Sequence, residues 1–151
     1  MNKNSVTNNQ TGRTLLMVGD LLALAIFIFI GEVQHELLTA YNPLLRVLVQ
    51  TLALALPWLP LAWGLGAYSV DEIRDRRGLV LFLLRSLAVW IYAAPLGLVV
   101  RAWIYGAPTV LVLFANAALA FGGMIILLWR AVFAWWWLQK RTHALFAEPL
   151  V

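Results

Sequence analysis

The chain has 151 residues, of which 63% are apolar and 12% charged, with a formal net charge of +4 and a mean hydropathy of +0.84. A soluble domain carries about 25% charged residues, so an ordinary soluble domain, a disordered chain and a fibrous repeat are excluded in favour of an integral membrane protein. The absence of cysteine removes disulfides, thiolate zinc sites, iron–sulfur clusters and a cysteine nucleophile.

Met1 to Thr14 is polar and Asn-rich, and reads as a short disordered tail. Four apolar runs follow, at residues 15–31, 44–68, 79–105 and 109–137. Each approaches the roughly 20 residues that a spanning helix needs. The first is short and holds Asp20. It lacks a small-residue cleavage site after Ile30, so it is expected to stay as a membrane helix rather than leave as a signal peptide. Its loop runs through Gly31-Glu32-Val33-Gln34-His35-Glu36 to Tyr41-Asn42-Pro43, and Asn-Pro favours a new helix start. Ser69 to Gly78 holds six charges and reads as a solvated, self-compensated loop, whereas Gly106-Ala107-Pro108 is a tight turn. Continuous rather than alternating apolar runs exclude β-barrel strands. The expected fold is an all-α integral membrane protein, a four-helix antiparallel bundle over residues 15–138, with a short tail at 139–151.

Lys and Arg set the orientation. Lys3, Arg13, Arg74, Arg76, Arg77, Lys140 and Arg141 all fall on one face if there are four crossings, while the other two loops carry none. The positive-inside bias then puts both termini in the cytoplasm, with the chain in the cell (inner) membrane. The same bias accounts for the basic balance without nucleic acid. Trp135-Trp136-Trp137 followed by Lys140-Arg141 fits the cytoplasmic headgroup level, and Tyr68, Trp103 and Tyr105 fit interfacial belts.

Six ionisable residues stay in or at the rims of the spans: Asp20, Glu32, Arg46, Arg85, Arg101 and Arg130. An unpaired charge at a helix centre costs at least about 2.5–3.5 kcal/mol. Asp20, Arg85 and Arg130 count to one level, roughly 8–11 Å in from the cytoplasmic side, so Asp20 is expected to pair with Arg85 or Arg130. Glu32, Arg46 and Arg101, with Glu36 nearby, form a second ionic layer on the far side. Both layers read as structural ion pairs, the alternative being a proton or ion relay through Asp20.

Pro57 and Pro60 interrupt the second span and Pro95 the third. Each frees a carbonyl that a neighbour must satisfy. Trp58 and Trp90 count to mid-depth, too deep for a belt, and carbonyls freed by Pro57 or Pro95 are candidate acceptors for their indole N–H groups. These four residues mark either aromatic packing or a site for an apolar pigment, quinone or lipid. Ala115, Ala118 and Gly122 on the fourth span, and Gly97 on the third, allow close helix approach. His35 and His143 are the two histidines and lie outside the spans, which leaves no haem ligand pair. No metal, phosphate-loop, hydrolase or dinucleotide motif occurs. No metal site, no cofactor and no enzymatic activity are expected.

Gly19-Asp20-Leu21-Leu22-Ala23-Leu24 with Gly31, Gly64-Leu65-Gly66-Ala67-Tyr68, Pro95-Leu96-Gly97-Leu98 with Arg101, and Leu128-Trp129-Arg130 together resemble the prokaryotic membrane family catalogued as domain of unknown function 3054, over about residues 17–131. The resemblance implies four membrane helices and no assigned activity or site residues. The chain departs from the family at Gly31-Glu32-Val33-Gln34-His35, where a basic turn is usual, and in the tryptophan-rich stretch after Arg130. The expected role is a non-catalytic accessory or assembly subunit of a larger membrane complex. The rivals are a small homo-oligomeric transporter or channel coupled through Asp20, and a binder of an apolar pigment, quinone or lipid.

Overall fold

The computed structural model describes residues 3–34, 42–106 and 112–146, with side chains described over 9–34, 42–106 and 115–141. Among these are four α-helices, α1 (Lys3–Gln34), α2 (Pro43–Gly64), α3 (Arg76–Ile104) and α4 (Val112–Phe146), and a short 3-10 turn, Val70–Glu72. The four helices are each long and apolar enough to cross a membrane, over Asn9–Gln34, Pro43–Gly64, Arg76–Ile104 and Ala115–Arg141. The protein is therefore an all-α, multi-pass membrane protein. His35, Glu36, Tyr41, Ala107 and Pro108 of the first and third connections lie outside the described residues.

Local chemistry fixes the helix ends. Asn42 adopts a left-handed conformation (φ 55°) and its side chain accepts from the Leu45 amide, with Pro43 at the first helical position. Asp75 caps α3 by accepting from the Gly78 amide at 2.7 Å. Beyond α2 and α3 the chain turns at Gly66 (φ 67°) and Gly106 (φ 63°), conformations that glycine adopts without strain.

Residue pairs on successive helices run in opposite senses. Glu32 of α1 meets Arg46 of α2, while Asp20 meets Trp58. Arg101 of α3 reaches Gln50, whereas Gly97 abuts Leu54. Lower in α3, Ser86 meets Arg130 of α4 as Trp90 meets Leu119. The α2–α3 seam is close because Gly97 has no side chain: a Cβ there would lie 2.9 Å from the Leu54 Cα and 3.3 Å from the Ala53 oxygen. That oxygen is the carbonyl released by Pro57 four residues on, so the freed acceptor is covered by a glycine backbone.

Three sequence expectations need correction. Residues from Lys3 onward are helix, not a disordered tail. Tertiary contact overrides composition there: Gly12 leaves room for the Trp137 ring, Arg13 bonds Asp71 at 2.9 Å, and Arg141 donates to Asn9. The partner helix α4 correspondingly runs to Phe146, past Trp137. The loop from Ser69 to Gly78 does not balance its own charges. Val70 and Ile73 are fully buried, Asp71 pairs with Arg13, and Glu72 pairs with Arg85 at 2.6 Å. The loop is a lid pinned to α1 and α3. Finally, Trp137 is 2% exposed and stacks on Phe133 with centroids 5.7 Å apart, so it belongs to the core rather than the headgroup belt, unlike the more open Trp135 and Trp136.

Candidate functional site

Two polar clusters lie inside the apolar bundle, at different heights along α1. The deeper one is built on Asp20. Arg130 of α4 grips its carboxylate with two donors, Nε to Oδ1 at 3.0 Å and Nη2 to Oδ2, and both side chains are 0% exposed. This fork-on-carboxylate geometry is the strongest form of a charge-assisted pair. Trp58 Nε1 and Tyr68 OH also donate to Oδ2, at 3.1 and 2.9 Å. The remaining Arg130 amine, Nη1, donates to the Ala67 carbonyl and the Ser86 hydroxyl, both at 2.9 Å. Trp58, Tyr68 and Phe82 surround the guanidinium, with ring centroids 4.9, 5.1 and 5.5 Å from its central carbon, a cation–π cage. Four parts of the chain meet here: α1, α4, α3, and the segment from α2 into the following turn. Both charges are fully buried.

The depth count admitted two arginines as partners of Asp20, and helical phase separates them. Ser86 faces Arg130, and Arg85, one residue and about 100° away on the helix, turns outward to Glu72 with its side chain 38% exposed. The Trp58 and Trp90 indoles do not bond carbonyls freed by Pro57 and Pro95. Trp58 is spent on Asp20, and Trp90 donates to the Leu119 carbonyl at 2.9 Å. Trp90 lies flush against Gly122 and Gly123, where a Cβ would come within 2.6 and 2.7 Å of its ring. It meets Trp58 edge-on with centroids 5.9 Å apart. This close packing leaves no room for a pigment or quinone between the two rings. Tyr68 and Ser86 as members of the cluster were missed, Tyr68 because its position suggested an interfacial belt.

The second cluster lies nearer the other end of the bundle. Glu32, 3% exposed, pairs with Arg46, whose Nη2 donates to Oε1 at 3.3 Å and whose Nε lies 3.2 Å from Oε2. Gln50 joins the layer: its Nε2 donates to Glu32 Oε1, and its Oε1 accepts from Arg101 Nε at 2.6 Å. Arg101 also lies 5.5 Å from the Tyr105 ring centroid. Gln50 went unnoticed in the sequence, although a glutamine inside an apolar run is itself the signal. A cavity of about 630 Å³ opens beside Glu32, Gln50 and Arg101, walled by apolar residues of all four helices. Among the described residues no group of three or more His, Cys, Asp or Glu is placed to hold a metal ion.

Four apolar membrane-length helices around a buried Asp–Arg pair define the class, a small multi-pass membrane protein. The chain belongs to the family described as protein of unknown function (DUF3054), whose sequence profile matches residues 17–133. Asp20, Glu32, Trp58, Gln50, Arg101 and Arg130 all fall within the matched stretch. No curated protein and no solved structure matches the chain.

Proposed function

We propose that the protein is a non-catalytic accessory or assembly subunit of a larger complex in the cell's inner membrane, with both termini in the cytoplasm. The observation that carries this is the state of Asp20, the residue on which ion coupling would depend. It is 0% exposed and accepts from Arg130, Trp58 and Tyr68 together. A relay carboxylate needs an exchangeable partner and a water path, whereas this one ties together all the helices around it. The orientation is supported by the way Arg13, the Asp71 loop and Arg141 converge at one end of the bundle, bringing the basic segments onto one face. Large aromatics on the outside, among them Trp63, Tyr92, Trp103 and Trp135, offer amphipathic contact area of the kind enriched at protein interfaces.

The test is affinity purification of the tagged full chain from native membranes in mild detergent, followed by native mass analysis. A subunit migrates well above its own 16.9 kDa with a second polypeptide in fixed ratio. Migration as a lone monomer overturns the proposal, and whole multiples of its own mass favour the homo-oligomeric transporter instead.

A further inference from the structure

The outward faces of a membrane bundle meet lipid tails, which offer no hydrogen-bond partner. Tyr92 lies on such a face. It is 64% exposed on α3, about 24 Å along the helix from Arg76 and about 18 Å from Ile104. Tyrosines that meet lipid belong at the headgroup level. A helical side chain leans back towards the N-terminus by only about one turn, about 5.4 Å, too little to carry this hydroxyl to either rim. No described residue bonds it. Outward residues at similar depth on α1 and α4, such as Leu22, Ile26, Met124 and Leu128, are apolar.

A second polar group without its usual partner lies beside the hydroxyl. Pro95, on the same exposed face, has no amide hydrogen, so the Ile91 carbonyl loses the donor it would have four residues on. The two groups do not satisfy each other, because the phenol leans towards the N-terminus of α3 while the carbonyl points to its C-terminus. Elsewhere the bundle covers such a group: the Ala53 carbonyl freed by Pro57 lies against Gly97. Pro60 also faces outward on α2, but with no polar side chain beside it. The outer face of α3 thus combines a hydroxyl and a freed carbonyl in the hydrocarbon.

The rest of that face has the form of a helix seam. Leu84, Ala88, Ile91, Pro95 and Val99 recur at spacings of three and four residues, the pattern of two helices packed at a small crossing angle. No charged residue lies between Arg85 and Arg101, and Arg85 is turned to Glu72, so two copies of the face meet without like charges. A hydroxyl both donates and accepts. A two-fold axis along the membrane normal keeps both copies in one orientation and brings each residue level with its own counterpart. A different helix would need a polar side chain at the matching depth, which a second copy supplies by symmetry.

We infer that α3 pairs with α3 of a second copy of this chain, the two Tyr92 hydroxyls bonding to each other across a two-fold axis near the centre of the bilayer. The pair does not rest on the accessory role. Trp63 and Trp135 lie on α2 and α4 and stay open to a second polypeptide, and the native complex then holds this chain twice.

The experiment reconstitutes the full chain in phosphatidylcholine vesicles over a series of protein-to-lipid ratios. One spin label is attached to a cysteine introduced at Trp103, at the outer end of the α3 face, and distances between copies are read by pulsed electron resonance. Val33, Leu44 and Phe121, exposed on α1, α2 and α4, carry the label in parallel samples. Pairs are expected, with the shortest separation at Trp103. Tyr92→Phe is expected to weaken pairing by roughly three- to tenfold, the ratio for one hydrogen bond between membrane helices. Its thermal midpoint as a monomer should match wild type, since the hydroxyl bonds nothing within the chain. Absence of coupling at every ratio overturns the proposal, as does a shorter separation on α1, α2 or α4. Undiminished pairing of Tyr92→Phe overturns it too. A chain that stays single in vesicles, while a photo-crosslinker at Leu96 joins it to another polypeptide in native membranes, gives the face to that partner and overturns the second copy.

Discussion

Asp20 and Arg130 satisfy each other where both are fully buried, and this makes either one without the other a liability. Removing one partner of a buried pair typically costs about 3–5 kcal/mol, because the survivor keeps its charge and loses its compensation. Asp20→Asn is therefore expected to lower the thermal unfolding midpoint in detergent sharply. Adding Arg130→Met should recover part of the loss by removing the orphaned charge. Recovery stays incomplete because the Trp58 and Tyr68 donors then lack the carboxylate they share. A stable Asp20→Asn protein would count against the structural pair, and stability together with lost ion coupling would favour a relay through Asp20. Asp71 offers a gentler case at the surface. Burial raises its carboxyl, but the hydrogen bond from Arg13 and the nearby Arg13 and Arg141 charges outweigh that and hold it below the usual carboxylate value. A folded value below the unfolded one, about 3.9, means that the pair stabilises the fold above that pH and that the gain is lost as acid carries the pH down through the folded value. Arg13 and Asp71 are 42 and 40% exposed, so solvent screens the pair and Asp71→Asn should change neutral-pH stability by less than about 1 kcal/mol. An acid titration of wild type and variant, which should converge at low pH, checks both statements.

At the scale of elements, the seam between α2 and α3 depends on Gly97. A methyl there would press on the Leu54 Cα and the Ala53 carbonyl, and over-packing of this kind costs about 1–3 kcal/mol. Gly97→Ala should accordingly destabilise the protein in a detergent melt, while Gly64→Ala, where nothing lies within 4 Å, should stay within about 0.5 kcal/mol of wild type. Four helices were legible because apolar runs of this length have few other solutions. The first turns of α1 were not, since Asn-rich sequence has no helical periodicity of its own and borrows its order from Trp137 and Arg141. The polar layers were legible in depth but not in azimuth: counting residues put Asp20 level with both Arg85 and Arg130, and only the rotation of α3 turns Arg85 away. The Ser69–Gly78 loop misled for a related reason. Its alternating charges look self-sufficient until Arg13 and Arg85, distant in sequence, arrive beside Asp71 and Glu72.

Over the whole molecule the two ends differ in kind. One is closed, with the loop pinned by Arg13, Arg85 and Arg141 above the sealed Asp20–Arg130 pair. The other opens into the Glu32 cavity. Arg74, Arg76 and Arg77 border the closed end, and translocation of short loops discriminates against such residues, so this end should be the one retained in the cytoplasm. The natural lack of cysteine makes a single introduced thiol an unambiguous reporter. Arg77→Cys lies at the exposed start of α3, where an impermeant maleimide should label it only after the cells are opened. Trp103→Cys, 83% exposed near the opposite end of the same helix, should react in intact cells. The reverse pattern would place the basic loop outside, a result that four crossings and a cytoplasmic N-terminus cannot accommodate.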